Sequence, residues 1–173
     1  MQVHVKLHLT ITFCTCPGTN IARGGKVDQS SVGWSGIPER VVDGNRACIY
    51  KQGSCSHTKR ELKPWWRLDL LKTFKVKTVT ITNRKDCCSD RLNGAEIHIG
   101  NSLIDNGNTN PICTVIKSIA GGRTETFECY GMEGRYINIV IPNRKEYLTL
   151  CEVEVEGTEV STDYLAFLLP FLV

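Results

Sequence analysis

The 173-residue chain carries 21 Lys and Arg against 18 Asp and Glu, a net charge of +3 with the two signs interspersed. That balance, without a long basic tract, excludes a protein that binds nucleic acid through bulk electrostatics. The length suits one domain with a real hydrophobic core, so disulfides are not its only source of stability.

The first segment, MQVHVKLHLTITF, alternates Val3, Val5, Leu7, Leu9, Ile11 and Phe13 with polar or charged residues. That is a strand pattern, and it lacks the uninterrupted apolar core of a secretory signal. Residues 1–19 are set apart as an N-terminal extension, and residues 20–157 read as one domain of short strands and turns. KPWWRLDL places Trp65 and Trp66 beside Arg67 and Asp69, read as a strand with aromatic core anchors. TVTIT alternates Val79 and Ile81 with threonines, and AEIHIG alternates Ala95, Ile97 and Ile99 with Glu96 and His98. YINIVI sets Ile137, Ile139 and Ile141 on one side, and CEVEVEG opposes Cys151, Val153 and Val155 to three glutamates. Such β-branched alternation is what a half-buried antiparallel sheet needs. Gly and Asn clusters (DGN, DNGNTNP, AGG) mark the connections, and no helical stripe is sustained. The expected fold is all-β, an antiparallel β-sandwich or jelly roll. Residues 158–173 end in the apolar YLAFLLPFLV, about half a membrane span and interrupted by Pro170. A lipid-anchor signal would need a longer polar spacer.

Nine cysteines lie at 14, 16, 48, 55, 87, 88, 113, 129 and 151. No pair of CxxC knuckles suggests structural zinc, so oxidised, extracellular use is the better reading. The odd count leaves at least one cysteine free, intermolecular or reducible. A zinc site built from His4, His8, Cys14 and Cys16 is an alternative for the N-terminal pair. In TNRKDCCSDRLNG, Cys87 and Cys88 are adjacent. Consecutive Cα atoms sit about 3.8 Å apart, closer than the roughly 5.5 Å a disulfide prefers, so a bond between them would be strained. Strain of that kind tends to persist at functional sites. Redox chemistry is the rival reading, although no CxxC motif or dinucleotide fingerprint accompanies the pair.

From His57, twenty-six residues lead to Arg84, one more to Asp86 and four more to Arg91. With its context (VDGNR, GSCSHT, TNRKDCCSDRLNGAEIHIGNSL, GRTETFEC, YLTLCEVEV), this spacing resembles the sugar-binding signature of the F-type lectins, or fucolectins. The resemblance covers residues 20–157 and implies a discoidin-like, galactose-binding-domain-like sandwich. It implies no enzyme activity, and a site for terminal α-L-fucose in which His57, Arg84 and Arg91 grip the sugar oxygens. The chemistry is sensible independently. Each arginine offers several N–H donors in a rigid plane, and histidine donates or accepts according to its tautomer. Asp86 is expected between the arginines, holding both planes, and a Cys87–Cys88 disulfide is expected as an apolar plate under the ring. Tyr50 falls where the family places an aromatic near the fucose methyl, and Trp34 is the apolar element of the loop SSVGWSGIPER. That loop is several residues shorter than in the family's eel member, and Lys51 replaces a tyrosine there, so oligosaccharide preference is expected to differ.

The resemblance further implies Cys55–Cys151 and Cys113–Cys129 bridges, leaving Cys14, Cys16 and Cys48 outside the pattern. Asp43 and Asn45 around Gly44 form a loop that presents oxygens, where the alternative is an ordinary Asx turn. By resemblance, a Ca2+ site adds Ser54, Glu152 and the carbonyls of Arg40 and Cys151, oxygen ligands of the kind calcium takes. The Arg40 guanidinium must then point away. A secreted homo-oligomer, a trimer in the eel member, would bind fucosylated glycans on cell or microbial surfaces in host defence, gaining avidity from its copies. The competing expectation is a discoidin-like adhesion or phospholipid-binding module with Trp34 as its membrane spike.

Overall fold

Two long strands organise the molecule, and a computed structural model describes residues 19–160. The strands in chain order are β1 (Lys26–Gln29), β2 (Ser56–His57), β3 (Glu61–Leu62), β4 (Trp65–Thr82) and β5 (Glu96–Gly100). They continue with β6 (Ile112–Val115), β7 (Thr124–Val140), β8 (Lys145–Glu146), β9 (Thr149–Leu150) and β10 (Glu152–Glu159). All pairings are antiparallel. The helical turns among the described residues are short 3-10 segments such as Tyr50–Gln52 and Ser89–Leu92. Residues 1–18 of the N-terminal extension, with Cys14 and Cys16, and residues 161–173 of the tail read from 158 lie outside the described residues, while Thr158 and Glu159 belong to β10.

β4 and β7 pair along most of their length, with register shifts between Asp69 and Phe74 and between Val76 and Thr78. Before the first shift β4 is flanked by β1, and after it by β10, so one strand serves two halves of the sandwich. β5 and then β6 extend the sheet from the C-terminal half of β7. Asp69 holds the bend. Its carboxylate accepts the Leu71 amide at 2.7 Å and both donors of Arg135 at 2.7 and 2.8 Å, which holds Asp69 below the usual carboxylate range.

The alternation read from the sequence is the alternation of burial. Val79, Ile81, Ile97, Ile99, Ile137, Ile139, Val153 and Val155 are fully buried in one cluster with Trp66 and Leu68. Trp66 donates its indole N–H to the Pro38 carbonyl at 3.2 Å, while Trp65 stays half-buried with the Arg67 guanidinium 5.0 Å over its ring. Truncating a residue such as Ile139 to Ala would cost about 2–5 kcal/mol. Glu152 breaks the pattern. It lies on the glutamate face of β10 yet is only 1% exposed, because the loop carrying Asp43 and Gly44 folds over it.

Two small ribbons, β2–β9 and β3–β8, lie outside the main sheet. They gather the connections 30–58, 83–95 and 141–149 into one place. The Cys55–Cys151 bridge stands immediately before β2 and immediately after β9, so it staples the ribbon that carries His57. Cys113–Cys129 joins β6 to β7, and among the described residues Cys48 forms no disulfide.

Candidate functional site

His57 sits at the end of β2, opposite Thr149, with only 5% exposure. The Trp34 loop lies flat on this strand: the Gly33 amide donates to the His57 carbonyl at 2.8 Å, and the His57 amide donates to the Gly36 carbonyl at 3.0 Å. The approach requires glycine, since a Cβ on Gly36 would fall 2.6 Å from the His57 backbone nitrogen, and one on Gly33 would fall 2.6 Å from the Thr58 carbonyl oxygen. Trp34 and Ser35 between them turn through positive φ (48° and 60°), which lifts the indole over the imidazole at 4.8 Å between ring centres.

The His57 ring is fixed in tautomer as well as in place. Nδ1 lies 2.6 Å from the Thr58 carbonyl, an acceptor only, so Nδ1 carries the proton and Nε2 presents a lone pair. Burial lowers the His57 pKa, and the Arg91 and Arg84 charges lower it further against the opposing Thr58 bond. The neutral ring is therefore the form present at pH 7.

Arg84 enters from the end of β4. Buried Asn83 roots this turn, accepting the Arg84 amide at 2.8 Å and donating to the Ser89 and Ile119 carbonyls at 2.9 and 2.7 Å. Asp86 receives Arg84 Nε at 2.8 Å and Nη2 at 3.0 Å, and the Tyr50 ring backs the guanidinium at 4.7 Å. This pairing holds the Asp86 carboxyl down at about 2, with help from the Tyr50 amide. The fork consumes Nε and one Nη2 hydrogen, leaving Nη1 and the second Nη2 hydrogen as donors.

Arg91 comes from the 3-10 turn Ser89–Leu92, with Nη1 3.5 Å from His57 Nε2. Asp86 does not hold it, contrary to the expectation that this carboxylate would serve both arginines. The acidic neighbour of Arg91 is Glu146, at 3.7 Å from Nε, and its face rests 4.6 Å from the Tyr147 ring. Burial lowers the Arg91 pKa from its ordinary high value without threatening its charge. Glu146 and Tyr147 were missed in the sequence. Their signal was the expected Cys55–Cys151 bridge, because residues just before Cys151 must then lie beside those just after Cys55.

Cys87 and Cys88 are disulfide-bonded, half-buried, and stand in the chain between the two arginines, with Cys88 at φ 58°. Trp34, Tyr50, His57 and Arg84 line an open pocket of about 180 Å3. That is below the range of about 300–1,000 Å3 typical of drug-sized ligands and suits a single small ring. Trp34 remains 65% exposed, and the Tyr50 hydroxyl donates to its carbonyl. The arrangement offers aromatic walls, several fixed cationic donors and one fixed acceptor. It has no nucleophile–base pair and no pair of free carboxylates.

The second constellation is the Asp43–Glu152 cluster. Asp43 Oδ1 accepts the Asn45 amide at 2.7 Å, and Asn45 Oδ1 accepts the Ala47 amide at 3.1 Å, so the Asx turn exists. Glu152 Oε1 accepts the Gly44 amide at 3.0 Å, but buried Oε2 has no partner. Burial, with Asp43 and Glu154 nearby, raises the Glu152 carboxyl to about 7. An orphaned buried carboxylate oxygen fits a cation, and two carboxylates plus neutral oxygens are a hard donor set suited to calcium. Ser54 is fully buried beside this region, its hydroxyl 3.3 Å from the Ile49 carbonyl. The Arg40 guanidinium is turned to the Cys55 carbonyl at 3.3 Å.

Residues 40–139 match the NedA-like, galactose-binding domain family. Fucolectin-1 of Anguilla japonica is 48% identical over 144 residues, covering 80% of each chain. The crystal structure of an F-lectin (fucolectin) from Morone saxatilis (striped bass) serum superposes with a TM-score of 0.82 at 53% identity. That match covers 83% of this chain and 49% of the bass chain, so this chain spans about half of the bass protein. A fucose binding module of Streptococcus pneumoniae superposes with a TM-score of 0.71 at 31% identity, covering 80% of this chain and 95% of the module.

Proposed function

The chain belongs to the F-type lectin (fucolectin) family, a family of carbohydrate-binding proteins and not of enzymes, and on that premise we propose that it binds terminal α-L-fucose on fucosylated glycans through His57, Arg84 and Arg91. One observation carries the reading: the two buttressed guanidinium groups converge on an imidazole whose free nitrogen is an acceptor. A neutral sugar offers hydroxyls that donate and accept and a ring oxygen that only accepts. His57 Nε2 accepts a hydrogen bond from a hydroxyl, while Arg84 and Arg91 donate to lone pairs on that hydroxyl, its neighbour and the ring oxygen. Tyr50 and Trp34 shield the methyl group, and the Cys87–Cys88 disulfide supplies an apolar surface for a carbon edge of the ring. Asp86 keeps Arg84 oriented and takes no part in the sugar contacts.

Calcium belongs to the same proposal. Asp43, Asn45, Ser54 and Glu152, with the Arg40 and Cys151 carbonyls, would hold it. The ion would neutralise the buried Glu152 carboxylate and tie the Asp43 loop to β10 beside the Cys55–Cys151 bridge. We place the protein outside the cell, consistent with the serum origin of the bass relative and with the disulfides. A homo-oligomer recognising fucosylated surfaces in innate immunity is the matching physiological role, since avidity strengthens modest single-site affinity.

The phospholipid-binding alternative would use Trp34 as a spike. Its ring instead packs on His57 at 4.8 Å and edge-on to Tyr147 at 5.4 Å, built into the pocket wall. A glycan array with free fucose as competitor tests the proposal. Fucose-competed binding is expected, and liposome binding that fucose does not compete would replace it with the membrane reading.

A further inference from the structure

Arg84 and Arg91 are supported in similar ways, by an aromatic face and a carboxylate edge, but not equally. Arg84 has a bidentate carboxylate at hydrogen-bond distance. The carboxylate of Arg91 stands 3.7 Å away, too far for a hydrogen bond, so its plane is set chiefly by the ring beneath it at 4.6 Å. That ring belongs to Tyr147, which also packs edge-on to His57 at 5.4 Å and to Trp34 at 5.4 Å. Tyr147 thus touches three of the groups assigned to the sugar site. Its own position is secured on both sides. The Tyr147 amide donates to Glu146 Oε1 at 2.8 Å, the same oxygen that faces Arg91. The next residue, Leu148, exchanges bonds with Thr58, its amide to Thr58 Oγ1 at 2.9 Å and its carbonyl from the Thr58 amide at 3.0 Å.

We infer that Tyr147 is a positioning residue for fucose recognition: its ring holds the Arg91 guanidinium in its donor orientation, and Glu146 fixes the edge of Arg91. The inference rests on the fucose reading above. Without the ring, Arg91 keeps its charge but loses the surface that selects its plane, and the directional bonds to neighbouring oxygens weaken. The face of the ring and not its hydroxyl is the working part, since among the described residues the Tyr147 hydroxyl forms no hydrogen bond while the ring lies under Arg91 at 4.6 Å.

The test measures methyl α-L-fucoside affinity by calorimetry for the full chain and its variants, with Tm as the control for folding. Tyr147→Leu is expected to weaken binding roughly tenfold, and Tyr147→Phe, which keeps the face, to stay within about threefold of the wild type. A double-mutant cycle with Arg91→Lys separates positioning from general structure. In the Arg91→Lys background, Tyr147→Leu is expected to cost less than about twofold further. Glu146→Gln, whose amide oxygen still accepts the Tyr147 N–H, gives an independent reading if Tyr147→Leu fails to fold. Its several-fold loss should shrink at high salt. Wild-type binding with Tyr147→Leu or Glu146→Gln unchanged, or an undiminished Tyr147→Leu effect in Arg91→Lys, overturns the inference alone. A wild-type chain that binds no fucoside overturns the fucose reading and the inference with it.

Discussion

Glu152→Gln probes the buried carboxylate beneath the Asp43 loop. Glu152 is 1% exposed and its Oε2 has no partner, so its charged form bears a desolvation cost. Raising a carboxyl from 4.5 to about 7 corresponds to about 3 kcal/mol. The sign follows from proton binding. Below pH 4.5 the group is protonated folded and unfolded, and nothing is lost. Between 4.5 and 7 the folded state holds the proton more tightly, so metal-free stability falls as pH rises, and above 7 the whole cost is present. Glutamine removes that cost and retains the Gly44 bond through its amide oxygen. In chelator at pH 8 the variant should therefore melt roughly 6–12 °C above the wild type, and at pH 4 the two should coincide. Added calcium should reverse the order at pH 8, raising the wild-type Tm and leaving Glu152→Gln unmoved. The assay is thermal unfolding across pH 4–8 with chelator or calcium. Parallel Tm curves for the two proteins in chelator would refute the electrostatic argument. An equal calcium response in both would remove Glu152 from the metal site.

Other perturbations act on the sugar site itself. Fucose affinity should fall on acidification with a midpoint below that of an ordinary imidazole, because His57 is held below its ordinary value and its protonation destroys the Nε2 acceptor. Calorimetry alongside an NMR titration of the ring checks whether the two midpoints coincide, and an affinity unchanged through the imidazole titration would exclude His57 as the acceptor. Asp86→Asn keeps the shape of the carboxylate but not its charge, and should weaken fucose binding by about tenfold; it should also lower Tm above pH 4, where the paired carboxylate is charged, and approach the wild-type Tm as pH falls toward 2. Equal affinity in a fucoside titration would show that Arg84 needs no such partner. Replacing Cys55 and Cys151 together by alanine opens a bridge of sequence separation 96 and should cost about 2–5 kcal/mol in denaturant unfolding. Fucose affinity should fall with it, since the bridge clamps the β2–β9 ribbon, and undiminished affinity would place His57 under other control.

Much of the fold was legible because burial follows period-two alternation, as at Val79 and Ile81 or Val153 and Val155. The continuity of β4 was not, since Trp65 to Thr82 reads as separate short strands and only the paired β7 shows that one strand passes through the bend. Glu152 misleads for a related reason. Alternation assigns its face, but a loop from a distant part of the chain decides whether that face meets water. In the candidate site, the family resemblance named His57, Arg84, Asp86 and Arg91, and the fold brings the three segments that carry them to one place. Glu146 and Tyr147 follow Arg91 by more than fifty residues, and only the β2–β9 and β3–β8 ribbons return them to it. The second carboxylate also explains why Asp86 serves a single arginine: its fork is filled by Arg84.

The most direct test of the central claim is methyl α-L-fucoside binding by the wild type beside Arg84→Ala and Arg91→Ala, with the fold of each verified by Tm. The wild type should bind, and each variant should lose at least tenfold in affinity, because each removes a largely buried guanidinium whose charged donors water replaces poorly. Fucoside binding that survives both substitutions at wild-type strength would contradict the account.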